Sequence, residues 1–244
     1  MNANIAHILV QINQRFYTNF GANFSETRRR IQPGVRKIMA HLARDERILD
    51  LGCGNGEFAR ALAQNGFHGE YLGLDFSQPL LRDAHLQTGN FPVHFCTVDL
   101  TSPNWSVNTA NCARLAAPWT LVTCFATLHH IPSRALRLHL IQQVHRLLPS
   151  GGQFIHSNWQ FLNSERLRAR IQPWEKVGLS ADDVDDGDYL LDWRAGGQGL
   201  RYAHHFSPEE LAQLAADTGF IIEESFLSDG ESGRLALYQI WRKS

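Results

Sequence analysis

Cysteine and methionine are scarce in this chain, four and two among 244 residues. Cys53, Cys96, Cys112 and Cys124 form no C-x-x-C pair and sit mostly inside apolar runs. That pattern excludes a disulfide-stapled scaffold, gives no metal site, and predicts reduced thiols in a cytoplasmic protein. Long apolar runs are also lacking. Nothing approaches the roughly eighteen residues of a membrane span, and Met1-Asn2-Ala3-Asn4 does not begin a basic, cleavable leader, so no membrane association is expected. Neither sign of charge dominates: 23 Lys and Arg stand against 24 Asp and Glu, a net charge of -1. A globally basic nucleic-acid packer is therefore excluded, and any polyanion would have to meet a local patch. With 43% hydrophobic and 19% charged residues the chain is no disordered tail, and it is long enough to bury one large core.

What is present begins with helical periodicity. Ile5, Ile8, Leu9, Ile12, Phe16 and Phe20 mark one helix, and Val35, Ile38, Met39 and Leu42 mark another after Pro33. Between them Phe24-Ser25-Glu26-Thr27-Arg28-Arg29-Arg30 reads as a basic connector. Residues 1–47 hold eight Lys/Arg against three Asp/Glu.

Strands and helices then alternate. Arg47–Leu51 is a strand followed by a glycine-rich turn and a helix from Glu57 that Gly66 ends. Tyr71–Asp75 is the second strand, with Ser77 and Pro79 opening the next helix. Val93–Val98, Leu121–Phe125 and Gln153–Ser157 are further strands, the last two separated by a helix capped by Ser133. This rhythm predicts a parallel sheet with helices on both faces. Residues from about 159 to 203 break it and read as an insertion or lid, basic at Arg166, Arg168 and Arg170 and acidic from Asp182 to Asp188. Ser207-Pro208-Glu209-Glu210 reads as a capping box, and Phe220–Leu227 and Arg234–Trp241 as the last two strands. The expected organisation is a single domain over 1–244: a helical cap (1–46), a core (47–158), the insertion (159–203), and a terminal helix with two strands (204–244).

Asp50-Leu51-Gly52-Cys53-Gly54-Asn55-Gly56 falls at the carboxyl edge of the sheet, where open α/β sheets bind ligands. The third glycine comes one position too early for a dinucleotide fingerprint, and an acid closes the strand, which suits a cationic or hydroxyl-bearing ligand better than a phosphate. Asp75 ends the second strand where a carboxylate can take both ribose hydroxyls, and Asp99, ending the third, could accept from an exocyclic amine.

On these residues, with Leu128-His129-His130-Ile131 and Leu148-Pro149-Ser150-Gly151-Gly152, the chain resembles the class I S-adenosylmethionine-dependent methyltransferases. The resemblance covers Ile48 to Ser157 and the last two strands. It implies a Rossmann-like, mostly parallel seven-stranded sheet whose last strand is antiparallel. It also implies S-adenosyl-L-methionine as cofactor, held by Asp50, Gly52, Cys53, Gly54, Gly56, Asp75, Phe76, Asp99, Leu100, Phe125 and Ala126. One departure is Trp119-Thr120, where the family commonly carries an acid. His129 and His130 are the candidate bases, needed for a hydroxyl or amine acceptor but not for a carboxylate.

Phe16-Tyr17, Phe24 to Arg28, Gln172-Pro173-Trp174 and Arg201-Tyr202-Ala203-His204-His205-Phe206 resemble segments of the tRNA wobble-uridine methyltransferases, which esterify a 5-carboxymethyl group. Arg29-Arg30, Gln32 and Ala203 depart from that pattern. The resemblance implies Tyr17, Arg28, Trp174, Arg201, Tyr202 and His204 as substrate residues. A methyltransferase of a small carboxylate, hydroxyl or amine metabolite is the alternative. A non-catalytic cofactor-binding or activating subunit is a third reading, and a small activating partner protein is also compatible. The tRNA reading requires Arg28 to Arg30 and Arg166 to Arg170 to converge beside the cofactor site.

Overall fold

The structure, a computed structural model, describes residues 1–26, 30–86, 91–106, 118–194 and 197–244. Seven strands form the main sheet: β1 (Arg47–Leu51), β2 (Glu70–Asp75), β3 (Val93–Thr97), β4 (Leu121–Phe125), β5 (Gln153–Trp159), β9 (Phe220–Ser228) and β10 (Ala236–Lys243). Their order is β3-β2-β1-β4-β5-β10-β9. The first five run parallel, and β10 lies antiparallel between β5 and β9. This is the Rossmann-like arrangement expected, with the last strand reversed.

The central strands are apolar without alternation because both faces are covered. Leu49, Leu72, Val122, Phe154 and Trp241 point to one core, closed by Leu140, Ile141 and Val144 of α5 (Arg134–Leu147) and by Leu211 and Leu214 of α7 (Pro208–Asp217). Ile48, Tyr71, Leu121, Ile155 and Tyr238 point to the other. There they meet Phe58 and Leu62 of α3 (Glu57–Gln64), Leu81 of α4 (Gln78–His85), and Val35 and Ile38 of α2 (Pro33–Met39). The sheet grows outward from β1 to β2 and β3, then crosses to β4 and β5. The switch point therefore lies between β1 and β4, above Asp50, whose register partners are Gly73 and Thr123.

Helix α1 runs from Ala3 to Glu26. It thus takes in Phe24, Ser25 and Glu26, the first three residues of the expected connector. The cause is tertiary: Asn55 of the glycine turn donates its side-chain amide to Ser25 Oγ at 3.0 Å and holds the last turn of the helix. The inserted segment includes a short helix α6 (Glu165–Arg168) and a three-stranded antiparallel sheet of β6 (Ile171–Gln172), β7 (Asp188–Trp193) and β8 (Gly199–His204). This second sheet reaches one residue beyond the expected end of the insertion, to His204. It packs on α1 through Tyr202 against Leu9 and through Trp193 against Phe16, while α4 meets the same helix through Leu80. Helix α1 is held between the two sheets' satellites and lies over the carboxyl edge of the main one. No helix among the described residues is long and apolar enough to cross a membrane.

Helix α2 is pinned at its first turn. Gly34 donates its backbone N–H to Asp229 Oδ1 at 2.9 Å, and Tyr238 donates its hydroxyl to Asp229 Oδ2 at 2.7 Å. A Cβ on Gly34 would overlap the Tyr238 ring. Gly34→Ala should therefore destabilise the fold by about 1–3 kcal/mol, the usual cost of overpacking a filled core, read as a lower urea midpoint at unchanged slope.

Candidate active site

A cavity of about 560 Å³ opens at the carboxyl ends of β1, β2 and β4 beneath α1, within the range of small-molecule sites. Its floor is the glycine turn. Gly52 and Gly54 have φ of 74° and 55°, left-handed values that glycine adopts without strain. The N–H groups of Gly52 and Cys53 donate to the Leu74 carbonyl at 2.7 and 3.0 Å, tying the turn to β2. A Cβ on Gly52 would overlap Thr127, whereas one on Gly54 would meet nothing within 4 Å. Gly54 thus offers bare backbone to the cavity. Gly56, expected among the cofactor contacts, does not line the cavity. A Cβ there would press on Ala84 and Phe95 at 3.0 and 3.1 Å, so this glycine serves the close packing of α3's start.

The three strand-end acids have different neighbours. Asp50 accepts from the Tyr71 hydroxyl at 2.6 Å and from the Thr123 hydroxyl at 2.7 Å, stitching β1 to β2 and β4. Asp75 accepts from the N–H groups of Gly54 and Ser77, at 2.9 and 2.8 Å, one on each oxygen. The Phe76 N–H also bonds this carboxylate, which retains acceptor capacity for a hydroxyl. Burial pushes both carboxyls up to about 6, against the hydrogen bonds that favour their ionised forms. Asp99 takes the N–H and hydroxyl of Thr101 on Oδ1 and the Gln14 amide, at 3.0 Å, on Oδ2. Cys53, Phe76, Leu100, Phe125 and Ala126 also line the cavity, Ala126 with a φ of 51°. Bare backbone at Gly54, two acceptor oxygens at Asp75 and apolar walls at Phe76 and Leu100 fit an adenosine with its ribose diol and a sulfonium tail.

The other half of the cavity is lined by His129, His130, Tyr17 and Trp159 with Arg30, Arg166, Arg170 and Arg201. His129 is buried and its Nδ1 accepts the Trp159 N–H at 3.3 Å. His130 Nδ1 lies 2.9 Å from the Tyr202 carbonyl, which can only accept, so Nδ1 carries the proton. Its Nε2 lies 3.0 Å from the Tyr17 hydroxyl. Arg201 is buried with its guanidinium 4.5 Å from the Trp159 ring centroid and 5.5 Å from that of Trp193.

Of the residues expected to bind substrate, Tyr17 and Arg201 line the cavity, and Arg28 lies outside the described residues. Trp174, Tyr202 and His204 do not line it. Trp174 packs with Leu9 and Leu179 on the far side of α1. Tyr202 and His204 alternate with Arg201 along β8, so the period-two geometry that turns Arg201 toward the cavity turns them away. Asn13 and Gln14 of α1 were not foreseen. Asn13 donates to the Tyr202 and His130 carbonyls, at 3.2 and 3.3 Å, and accepts the Tyr202 N–H at 2.8 Å. Its signal was an asparagine in register with Leu9, Phe16 and Phe20 on the apolar stripe.

A family model described as a methyltransferase domain matches residues 24–225. The chain belongs to this methyltransferase family. The enzyme is 27% identical over 208 residues to a methyltransferase of Encephalitozoon cuniculi, covering 84% of this chain and 85% of that one. It is 32% identical over 177 residues to the ubiquinone biosynthesis O-methyltransferase of Azoarcus sp. strain BH72, covering 71% and 64%. Similarity at 23% identity over 197 residues extends to tRNA methyltransferase 9B of Bos taurus, covering 78% and 39%. The chain thus spans less than two thirds of the length of the last two relatives. An S-adenosylmethionine-dependent methyltransferase of Methanosarcina mazei shares the fold with a TM-score of 0.64 at 22% identity, covering 87% of this chain and 98% of that one. The methyltransferase is S-adenosylmethionine-dependent and belongs to class I.

Asp75→Ala should weaken S-adenosylhomocysteine binding by about 1.5–3 kcal/mol in calorimetry, the worth of hydrogen bonds to a charged group. In the unaltered enzyme that affinity should fall as the carboxyl protonates below about 6. Stability without added cofactor runs the opposite way. A carboxyl raised from 3.8 to about 6 contributes fully below 3.8 and loses that contribution as pH rises through 6.

Proposed function

We propose that the enzyme esterifies a carboxylate carried on a nucleic acid, with the 5-carboxymethyl group of a tRNA wobble uridine as the acceptor. The observation that carries this reading is the placement of Arg30, Arg166, Arg170 and Arg201 on the same cavity as Gly54 and Asp75. Arg30, Arg166 and Arg170 are partly or fully exposed, and Arg201 is buried. Guanidinium groups grip carboxylates and phosphates through paired N–H donors, so the buried arginine suits the acceptor carboxylate and the outer three suit flanking phosphates. The Trp159, Trp193 and Phe16 rings around Arg201 hold its guanidinium in place.

The cofactor supplies an electrophilic methyl group on a sulfonium. Transfer to a carboxylate would form an O–CH3 bond as the S–CH3 bond breaks, release S-adenosylhomocysteine and need no general base, so the protein's task is alignment and exclusion of water. The engagement of His129 with Trp159 and of His130 with Tyr202 and Tyr17 agrees with that economy. Similarity to tRNA methyltransferase 9B supports the acceptor class.

A second reading is favoured by one contact. The Tyr17 hydroxyl beside His130 Nε2 offers a proton route for a neutral hydroxyl acceptor, in line with similarity to a ubiquinone biosynthesis O-methyltransferase. Incubation with methyl-labelled cofactor and separate tRNA and metabolite fractions distinguishes the two. Label in tRNA that mild alkali releases as methanol supports the ester, and alkali-stable label confined to small molecules refutes it. Arg166→Glu with Arg170→Glu should weaken tRNA binding and reduce its log–log salt slope by about 1–2, roughly 0.9 for each phosphate no longer neutralised, leaving S-adenosylhomocysteine affinity unchanged.

A further inference from the structure

Behind the cavity wall lies a buried cluster of charges that the proposed chemistry does not use. His204, on the last residue of β8, is 1% exposed and sits between two carboxylates. Its Nδ1 lies 2.7 Å from Asp188 Oδ1 on β7, and its Nε2 lies 2.8 Å from Glu210 Oε2 on α7. An ionised carboxylate can only accept a hydrogen bond. Both ring nitrogens must therefore carry protons for both contacts to form. Arg137 of α5 faces the same group, 3.6 Å from Glu210 and 4.0 Å from Asp185, and His205 adjoins it in sequence. Three carboxylates, Asp185, Asp188 and Glu210, stand against two cations, the Arg137 guanidinium and the Met1 ammonium that lies 2.6 Å from Asp185, unless His204 is an imidazolium.

The cluster connects to the cavity through one residue. Tyr202 donates its hydroxyl to the same Asp188 oxygen that His204 holds, at 2.7 Å, and Arg137 donates to that hydroxyl at 3.4 Å. The backbone carbonyl of Tyr202 is the group that takes the His130 Nδ1 proton, and its N–H and carbonyl hold Asn13 of α1. Arg137 also donates to the carbonyl of Ile131, next to His130.

We propose that His204 is held as a buried imidazolium between Asp188 and Glu210 and acts as a positioning residue, fixing the Tyr202 backbone and through it the His130 tautomer and the seat of α1 over the cofactor. This assignment is independent of which acceptor the enzyme uses. Burial alone would push His204 down, but its bonds to Asp188 and Glu210 outweigh that and hold it above the ordinary histidine value. Its stabilising contribution is complete below about 6.5 and is lost as pH rises through the raised value.

Nitrogen-15 NMR of the whole protein tests this directly. At pH 7.5 both His204 ring nitrogens should be protonated, and His130 should be the Nδ1–H tautomer. As His204 loses its proton at higher pH, His130 should move toward a mixture of tautomers and S-adenosylhomocysteine affinity should fall at least threefold. Glu210→Gln removes one carboxylate while keeping a polar group of the same size, and should shift both transitions together to lower pH. A neutral His204 at pH 7.5 overturns the proposal. So does a His130 signal and a cofactor affinity that stay constant through the His204 titration, or transitions that Glu210→Gln leaves in place.

Discussion

The site depends on burying two carboxylates at the carboxyl ends of neighbouring parallel strands. Ionised groups are expensive to remove from water, and Asp50 and Asp75 are accommodated only because hydroxyls and backbone N–H groups converge on them. Asp50 spends its hydrogen bonds on Tyr71 and Thr123, which fixes the spacing of β1, β2 and β4 where the sheet changes direction. Asp75 places its own on the glycine turn and on Ser77, and retains acceptor capacity toward the cavity. The same kind of residue at equivalent strand ends thus does two jobs, one holding the scaffold and one presenting a binding group.

Helix α1 extends this logic above the sheet. Gln14 meets Asp99, Tyr17 meets His130, Asn13 meets Tyr202, and Ser25 meets Asn55. A single helix therefore touches the loops after β1, β3 and β4 and the second sheet as well. That coupling makes the cofactor half and the arginine-lined half one continuous cavity, with the helix as their shared roof.

Much of this was legible in the sequence because it is encoded locally. The strands and the glycine turn are contiguous patterns, and Asp50, Asp75 and Asp99 are placed by the strand ends that precede them. What could not be read depends on contacts between distant segments. The Ser207 to Glu210 pattern has the letters of a capping box, and Ser207 Oγ does accept the Glu210 N–H, yet the Glu210 carboxylate turns to His204 instead. Tyr202, His204 and Trp174 carry side chains suited to substrate recognition, but strand alternation and the docking of α1 direct them into packing. Gly56 looked like a ligand glycine and is a packing one. The reach of α1 to Glu26 follows from Asn55, a residue far along the chain.

The central claim is that cofactor binds on the glycine turn and beneath α1, in one cavity with the arginine cluster. Hydrogen–deuterium exchange with and without S-adenosylhomocysteine measures this most directly. The account predicts added protection at residues 50–56, 73–77 and 97–101 and along residues 3–26, with the main core unchanged. Saturating ligand that leaves 50–56 and 3–26 exchanging as before would contradict it.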